Sequence, residues 1–573
     1  MTEPIIEFND LTFQYRTQAE PTLHEINLKI MPGEKVLIAG ASGSGKSTLS
    51  RLINGLIPES YAGTITGMAK VNGHDVNSGS IFARSFDVGT VLQDPDEQFV
   101  ALTVGEDLAF ALENDQIAHA EMLTRVNQWA QQLNVTALLK QAPQAISGGQ
   151  KQRVAMGGVL IDESPILLFD EPLASLDPAA GKAAIEMIDD IARAHALTTI
   201  IIEHRLEDVL HRPIDRLIVL DNGRIVADDT PANVLRAGKL PSLGLREPLY
   251  LAALAHAGVD FNSLTNIDNV QTVNGSDIQD KLSGWLAQQP TTASQSAQQS
   301  LLEIEHLAFA YPRGKQIFTD LNITVNTGEL ISIVGKNGSG KSTLSNLITG
   351  FLKPTAGQIK LNGQDLTELS IKERADQIGY VLQNPNQMIS KNTVYEEVAL
   401  GLELRGIELA QVTAQVAEIL RLTDLYTMRN WPISALSFGQ KKRVTIASIL
   451  VLKPKVLILD EPTAGQDLAH YTAMMNFLAN LRVTNGITII IITHDMHLML
   501  EYADRTIVIS DGQLLLDATP SEVLNNAPVV KAASLALTSL YYLAQRFELG
   551  NPEVLTTKVI AAEQQAKKGV ANV

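Results

Sequence analysis

The 573-residue sequence contains no cysteine, has fewer basic than acidic residues, and lacks a long uninterrupted apolar run. The absence of cysteine excludes disulfides, thiolate zinc sites and iron–sulfur clusters, although it does not identify a compartment. The 45 Lys and Arg against 63 Asp and Glu leave a formal charge of −18. This charge disfavours a protein whose affinity comes from neutralising nucleic-acid phosphates. We therefore expect no nucleic-acid partner.

No apolar run reaches the roughly 18 residues that suggest a membrane-spanning helix. The longest candidates, such as residues 487–493, have the length of a strand. The first ten residues include Glu3, Glu7 and Asp10, and they lack the basic start and apolar core of a signal peptide. We expect that the chain does not span a membrane by itself.

Two stretches fit the pattern G-x-x-x-x-G-K-[ST], each after a strand-like apolar run at 36–39 or 330–334. In such a loop the glycines let backbone N–H groups surround a polyphosphate, and the following helix N-terminus adds positive charge. The lysine reaches the β- and γ-phosphates, and the Ser or Thr after it holds Mg²⁺. The first loop comprises Gly40, Ala41, Ser42, Gly43, Ser44, Gly45, Lys46, Ser47 and Thr48, and the second comprises Gly335, Lys336, Asn337, Gly338, Ser339, Gly340, Lys341, Ser342 and Thr343.

The loops belong to a long internal repeat. Gln383 lies 290 positions after Gln93, and the same spacing separates Ser147 from Ser437, Asp170 from Asp460, and His204 from His494. The two loop lysines are 295 positions apart. Self-similarity on this scale predicts two duplicated domains in one chain.

In each copy, strand-like runs alternate with amphipathic stretches, which predicts a mainly parallel sheet flanked by helices. Residues 104–112 and 122–133 have a helical pattern and indicate an inserted helical subdomain. Asn222-Gly223 and Asp511-Gly512 predict hairpin turns.

We predict six segments along the chain. The first domain spans 1–228 with a C-terminal extension at 229–285, a flexible uncharged linker spans 286–300, the second domain spans 301–517 with an extension at 518–550, and the tail at 551–573 is a frayed helix or disordered. Helical stretches at 249–257 and 535–543 either pack on their own domain or form a dimerising surface.

Further candidate residues follow the loops. Asp170-Glu171 and Asp460-Glu461 each end an apolar strand, where one carboxylate can hold Mg²⁺ through water and its neighbour can polarise an attacking water. A second phosphate-facing helix N-terminus is predicted in each copy. These signature residues are Ser147, Gly148, Gly149 and Gln150 in the first copy, and Ser437, Phe438, Gly439 and Gln440 in the second.

These motifs, in this order and twice over, resemble the nucleotide-binding cassettes of ABC ATPases across nearly the whole chain except linker and tail. The resemblance implies an α/β fold of two tandem P-loop NTPase cassettes, each with a helical subdomain and a C-terminal helical extension, that hydrolyse ATP with Mg²⁺. It assigns catalysis to Gln93, Glu171, His204, Gln383, Glu461 and His494, metal binding to Ser47, Gln93, Asp170, Ser342, Gln383 and Asp460, and adenine stacking to Tyr15 and Tyr311.

In this family each ATP site is composite, because the phosphate loop of one cassette is closed by the signature of the other. The resemblance implies that Lys46 works with the signature at 437–440, and Lys341 with the signature at 147–150. Asp177 and Asp467 would lie at the contact between cassettes. Phe438 replaces a glycine of the first signature, so its side chain must point away from nucleotide. The contact segments at 175–178 and 465–468 also differ, and we expect unequal turnover at the two sites.

The segment from Gln93 to Phe99, QDPDEQF, is similar to the Q-x-P-x-x-Q pattern in ATPases of energy-coupling factor (ECF) importers, which take up vitamins and metal ions in prokaryotes. Met388 replaces the second glutamine in the other copy. The resemblance, which includes the family's thiamine or hydroxymethylpyrimidine type, implies a peripheral protein at the cytoplasmic face of the cell membrane. Its partners would be a transmembrane coupling protein and a substrate-binding membrane protein, which we expect to dock on Phe99, Met388 and Ile389.

Two alternative functions are compatible with twin cassettes. A soluble protein acting on ribosomes or nucleic acid usually has a long charged helical linker or cysteine-rich zinc modules, whereas this linker is uncharged and the chain has no cysteine. A sugar importer would lead us to expect one degenerate site, but both copies keep every expected residue. The importer interpretation is therefore favoured, and the residues do not name the transported compound.

Overall fold

The computed structural model describes residues 3–174, 176–290, 299–312, 314–463 and 466–571. The chain divides into two compact units. The first unit comprises Met1–Trp285 with Tyr542–Leu549, and the second comprises Leu286–Tyr541 with Gly550–Val573. Most of the predicted linker, at 291–298, and the predicted contact residues Ser175 and Gly465 lie outside the described residues.

The first unit begins with three strands, which are followed by interspersed helices and strands. Its elements are β1 (Ile6–Tyr15), β2 (Leu23–Ile30), β3 (Lys35–Gly40), α1 (Lys46–Ile53), α2 (Leu56–Glu59), β4 (Gly63–Val71), β5 (His74–Asp75), α3 (Ile81–Ser85), β6 (Val88–Val91), α4 (Val104–Asn114), α5 (His119–Gln132), α6 (Gly148–Leu160), β7 (Ile166–Asp170), α7 (Pro178–His195), β8 (Thr198–Ile202), α8 (Leu206–Val209), β9 (Arg216–Asp221), β10 (Arg224–Asp229), α9 (Pro231–Arg236), α10 (Leu249–His256) and α11 (Ile278–Gln288).

The second half of the chain repeats this order without a counterpart of α2 and adds C-terminal helices. Its elements are β11 (Ser300–Ala310), β12 (Gln316–Asn326), β13 (Leu330–Val334), α12 (Lys341–Thr349), β14 (Ala356–Leu361), β15 (Gln364–Asp365), α13 (Ile371–Ala375), β16 (Ile378–Val381), α14 (Val394–Glu403), α15 (Leu409–Leu422), α16 (Phe438–Leu450), β17 (Val456–Asp460), α17 (Leu468–Asn485), β18 (Thr488–Ile492), α18 (Met496–Tyr502), β19 (Arg505–Ser510), β20 (Gln513–Ala518), α19 (Pro520–Asn525), α20 (Ala527–Ala532), α21 (Ser539–Arg546) and α22 (Pro552–Ala571). The helix that begins at Ser539 belongs to the first unit from Tyr542 onward.

Each unit contains a six-stranded sheet and a four-stranded sheet. In the first unit the larger sheet has the order β10-β9-β3-β8-β7-β6, and all its pairs are parallel except β9 with β10. The second unit has the corresponding order β16-β17-β18-β13-β19-β20. Its central strands are fully buried along their length, as expected for parallel strands covered on both faces. The predicted α/β fold with mainly parallel sheets is confirmed.

The four-stranded antiparallel sheets, β2-β1-β4-β5 and β12-β11-β14-β15, are a feature that the sequence pattern did not predict. Their inward side chains share one hydrophobic core with the parallel sheet. In the first unit this core includes Phe8 and Phe13 together with Ile38 and Ile200. The predicted helical subdomain is present as α4 and α5, and both predicted hairpin turns join antiparallel strands.

Two expectations for the ends of segments are wrong. The tail is not frayed along its length, because α22 buries Leu555 and Val559 completely. The linker begins later than predicted, because α11 continues to Gln288. Among the described residues, no helix combines the length and the apolar character needed to cross a membrane.

Candidate functional site: two nucleotide sites

The first phosphate loop joins β3 to α1. Lys46, the first residue of α1, donates from Nζ to the carbonyl oxygens of Gly40 and Ala41, both at 2.8 Å. Gly45 has a φ of 103°, and a Cβ there would lie 2.7 Å from Leu23 Cδ2. The positive φ would strain any residue with a side chain, so the backbone favours glycine at this position.

The second phosphate loop has the same geometry. Lys341 Nζ donates to the carbonyl oxygens of Gly335 and Lys336 at 2.7 and 3.1 Å. Each loop also buries a serine hydroxyl, on Ser44 or Ser339, that has no hydrogen-bond partner among the described residues. Unused donors in a glycine-rich turn at a helix N-terminus fit a polyphosphate. Both loops therefore have the chemistry of a nucleotide phosphate site.

The two predicted adenine-stacking tyrosines are anchored to their own phosphate-loop helices. Tyr15 Oη lies 3.1 Å from Thr48 Oγ1, and Tyr311 Oη lies 3.1 Å from Thr343 Oγ1. In the first unit Arg51 also donates to Tyr15 Oη at 3.1 Å. Each ring is thus held beside a phosphate loop, which is compatible with the predicted stacking.

The predicted catalytic carboxylate of the first unit follows β7. Glu171 takes a left-handed backbone conformation with φ 49°, and its Oε2 accepts a hydrogen bond from Gln93 Nε2 at 2.8 Å. Burial raises the pKa of Glu171, while the nearby His204 opposes that rise. Three of the predicted catalytic residues therefore lie together at the carboxyl end of the parallel sheet.

The corresponding carboxylate of the second unit has different partners. Glu461, with φ 45°, accepts a hydrogen bond from Thr493 Oγ1 at 3.3 Å and lies 3.9 Å from His494 Nε2. Burial, with the adjacent Asp460 adding to it, raises the pKa of Glu461 to about 7. A glutamate whose pKa lies near 7 suits a general base better than an exposed glutamate with its ordinary pKa. Gln383 is exposed, as is its counterpart Gln93.

Sequence reasoning missed Glu203, which precedes the predicted histidine His204. Its carboxylate is completely buried and lies 3.2 Å from His204 Nδ1 and 3.5 Å from Arg205 Nε. Burial alone would raise the pKa of Glu203, but His204 and Arg205 hold it below its usual value. The sequence does show a carboxylate directly after the apolar strand β8. The internal repeat gave it no support, because Thr493 stands at the corresponding position of the second copy.

The neighbouring aspartates fit the predicted metal role. Burial raises the pKa of both Asp170 and Asp460. Asp460 Oδ2 lies 3.4 Å from Ser342 Oγ, which brings two predicted metal ligands together, whereas Asp170 Oδ2 accepts from Ser50 Oγ at 3.5 Å. Mg²⁺ prefers oxygen ligands and commonly completes its shell with water and substrate phosphates. The hydroxyl–carboxylate pair fits such an ion.

No group of three or more His, Cys, Asp or Glu that could hold a metal occurs within the described ranges. In nucleotide-hydrolysing sites Mg²⁺ commonly has few protein ligands and bridges phosphate oxygens.

Each signature begins a helix, α6 or α16. The backbone N–H of Ser147 donates to Gln150 Oε1 at 2.9 Å, and Ser437 makes the same bond to Gln440. These reciprocal caps fix the first turn of each helix. Phe438 corresponds to Gly148, and its ring lies 5.5 Å from Lys442 Nζ. Helix N-termini of this kind can face an anion.

Comparisons with known proteins give the family of the chain. The family model "ABC transporter" matches residues 23–174 and 318–464, and a second model, "ATP-binding cassette cobalt transporter", matches residues 237–309. Proteins named "Putative ABC transporter ATP-binding protein" are 58% identical over 99% of this chain and 100% of theirs in Lactiplantibacillus plantarum, and 54% identical over 99% and 100% in Enterococcus faecalis.

A solved structure titled as cbiO1 from Clostridium perfringens, part of the ABC transporter complex cbiONQ, is 35% identical over 41% of this chain and 94% of that one, with a TM-score of 0.38. The sequence relatives extend over both copies of the repeat, so the whole chain rather than one half is shared. The family model and the sequence relatives show that the chain belongs to the ABC transporter ATP-binding proteins and carries two ATP-binding cassettes.

Proposed function

We propose that the protein is the ATP-hydrolysing subunit of an ECF-type importer, which drives uptake of a vitamin or a metal ion through partner membrane subunits. The observation that carries the proposal is the Gln93–Glu171 hydrogen bond of 2.8 Å beside a phosphate loop. A glutamine that senses the γ-phosphate is thereby linked to the carboxylate that would activate water. The match of residues 237–309 to a cobalt-transporter model supports the importer class.

The segment after Gln93 offers a route from nucleotide to partner. Asp96 accepts from Lys151 Nζ at 2.6 and 2.8 Å, which ties this segment to helix α6. Asn386 and Lys441 make the matching contact at 3.3 Å in the second unit. Binding at the phosphates can therefore shift the segment and the helix together, as coupled transport requires.

The predicted docking anchors are partly buried in the structure. Met388 and Ile389 pack against the hydrophobic core of the second unit, and Phe99 is half-buried. The exposed apolar side chains beside the first segment are Val100 and Leu102, at 63% and 83% exposure. We propose that these two contact the membrane subunit. In the second copy Ser390 stands in place of Val100 and Asn392 in place of Leu102. The two cassettes would therefore make different contacts with the partner.

Co-purification tests the proposal. The chain would be expressed from its native operon, and solubilised membranes would be probed for proteins that purify with it. Val100→Asp with Leu102→Asp should abolish membrane association and keep basal hydrolysis, whereas Val483→Asp, at an equally exposed site on α17, should change neither. A wild type that stays wholly free of membrane proteins and sediments with ribosomes would overturn the importer proposal.

We include in the proposal the crossed pairing of loops and signatures that the family implies. Each cassette supplies both a loop and a signature, so one chain would form two composite sites. The ammonium groups of Lys46 and Lys341 would bind the phosphates, and the N-termini of α6 and α16 would approach them only while nucleotide is present.

A further inference from the structure

Lys442 in the signature helix α16 joins that helix to the loop after β17. Its side chain is only 2% exposed, and Nζ donates to the carbonyl oxygens of Glu461 and Pro462 at 2.7 and 3.1 Å. The Phe438 ring lies 5.5 Å from the same ammonium group. The residue that would activate water is thus fixed through its backbone by a residue of the signature helix.

Burying an ammonium group is unfavourable unless it is hydrogen-bonded. Burial lowers the pKa of Lys442 to about 8, against the opposing charges of Glu461 and Asp460. Charge-assisted bonds to two consecutive carbonyls compensate for part of that burial. They also restrain rotation of the peptide unit that sets the direction of the Glu461 side chain.

The first unit lacks this arrangement. Gln152 occupies the position of Lys442, is equally buried at 2% exposure, and its Nε2 has no hydrogen-bond partner among the described residues. Glu171 is restrained instead by the side-chain bond from Gln93. The two cassettes therefore hold their glutamates by different side-chain contacts: Gln93 bonds to the Glu171 carboxylate, whereas Thr493 bonds to the Glu461 carboxylate and Lys442 to the Glu461 backbone carbonyl.

We propose that Lys442 is a positioning residue of the second ATP site, which holds the left-handed Glu461 backbone to the signature helix so that the carboxylate faces the attacking water. The proposal rests on ATP hydrolysis as proposed above, but it does not depend on the transport partner. A lost restraint should misplace the carboxylate without removing any group that binds nucleotide, since the loop residues 335–343 are untouched.

The test compares hydrolysis of MgATP by the purified full chain and its variants. Lys442→Gln introduces the first-cassette residue. It should lower total turnover to about half or below, because misplacement of a reacting group can cost about 100-fold at the affected site. The KM for MgATP should change less than about twofold. Lys442→Arg, which keeps the charge and the donors, should restore turnover. Lys372→Gln on the exposed face of α13 is the matched control.

A double-mutant cycle separates positioning from simple stability. In the Glu461→Gln background, which keeps the backbone carbonyl, Lys442→Gln should cause no further loss of turnover. Lys442→Met serves the same cycle if the glutamine variant does not fold. Additive losses, a raised KM with unchanged kcat, or failure of Lys442→Arg to restore turnover would each overturn the proposal. Unchanged turnover in a Glu171→Gln, Glu461→Gln double variant would instead overturn the assignment of hydrolysis itself.

Discussion

Tyr380 Oη donates a hydrogen bond to Asp460 Oδ2 at 3.4 Å. Burial, and then the charge of Asp460, raises the pKa of this phenol, so it remains a donor at all physiological pH values. Thr90 takes the same place on β6 in the first unit. Among the described residues, the predicted metal-binding carboxylate of the second site therefore has a hydrogen-bond partner that its counterpart in the first site lacks.

Removing that partner should weaken the second metal site. Outer partners of metal ligands typically contribute about 10- to 100-fold to metal affinity or activity, so Tyr380→Phe should raise the Mg²⁺ concentration needed for hydrolysis at the second site by about 10-fold. The measurement is a Mg²⁺ titration of hydrolysis at saturating ATP. Tyr395→Phe, which removes an exposed phenol bonded to Thr413, should leave the titration unchanged.

The two strand-end glutamates should carry the hydrolytic step. Glu171→Gln with Glu461→Gln removes both carboxylates, and loss of a general base typically costs about 10²- to 10⁴-fold in rate. ATP binding should survive, because the phosphate loops are unchanged. Steady-state hydrolysis and equilibrium nucleotide binding are measured on the same sample, and near-normal turnover in the double variant would refute the assignment.

The crossed pairing of sites predicts damage in the cassette opposite to each substitution. Ser437→Arg should impair nucleotide retention at the site built on Lys46, and Ser147→Arg at the one built on Lys341, because each adds bulk and charge to a signature helix start. Trapped nucleotide is located by photolabelling and proteolytic mapping. Loss confined to the substituted half would contradict the pairing.

Asp162 should make the stability of the first unit depend on pH. Burial, followed by the charge of Asp115, raises its pKa from 3.8 to about 6, so folding disfavours ionisation. The resulting penalty is absent below the unfolded pKa, grows as the pH rises from about 4, and is complete above about 6. Asp162→Asn should therefore raise the urea midpoint at pH 8 but hardly at pH 4.

Two comparisons sharpen this prediction. Leu452 occupies the corresponding position in the second unit, so Asp162→Leu should give at least the same gain at pH 8. Glu163→Gln alters the exposed carboxylate next in the chain and serves as the control. A gain that is equal at the two pH values would show that ionisation of Asp162 is not its cause.

The late segment Tyr542–Leu549 belongs to the first unit and should stabilise it. Leu543 is fully buried, and Arg546 donates to the carbonyl oxygens of Val273 and Gln271 at 2.7 and 2.5 Å. Leu543→Ala should destabilise the first unit by about 2–5 kcal/mol, measured by urea unfolding with limited proteolysis of each half. Val554→Ala at an exposed site on α22 should cost far less.

Much of the candidate site could be predicted because its motifs are local. A glycine pattern between a strand and a helix requires few long-range contacts, so the loops at Lys46 and Lys341 can be located from the order of residues alone. The internal repeat then placed each motif a second time in the chain. Comparing the two copies gave no support to residues that differ between them, such as Glu203 against Thr493 and Gln152 against Lys442.

The fold was less predictable where pairing is non-local. The run from Ile6 to Tyr15 was readable as two strands, but its antiparallel partners, β2 and β4, could not be chosen from sequence, since register depends on which faces become buried together. The tail has a weakly amphipathic composition, and its burial depends on the surface that other helices provide.

The sequence by itself determined the duplicated α/β class, the two phosphate loops and the carboxylates that follow buried strands, because each depends on spacing along the chain. Only the tertiary structure decided which side chains hold each glutamate, Gln93 in one unit and Thr493 with Lys442 in the other. It also decided that Tyr542–Leu549 belongs to the first unit. The physical reason is that hydrogen-bond partners and burial are set by residues far apart in the chain, which come together only when the whole core packs.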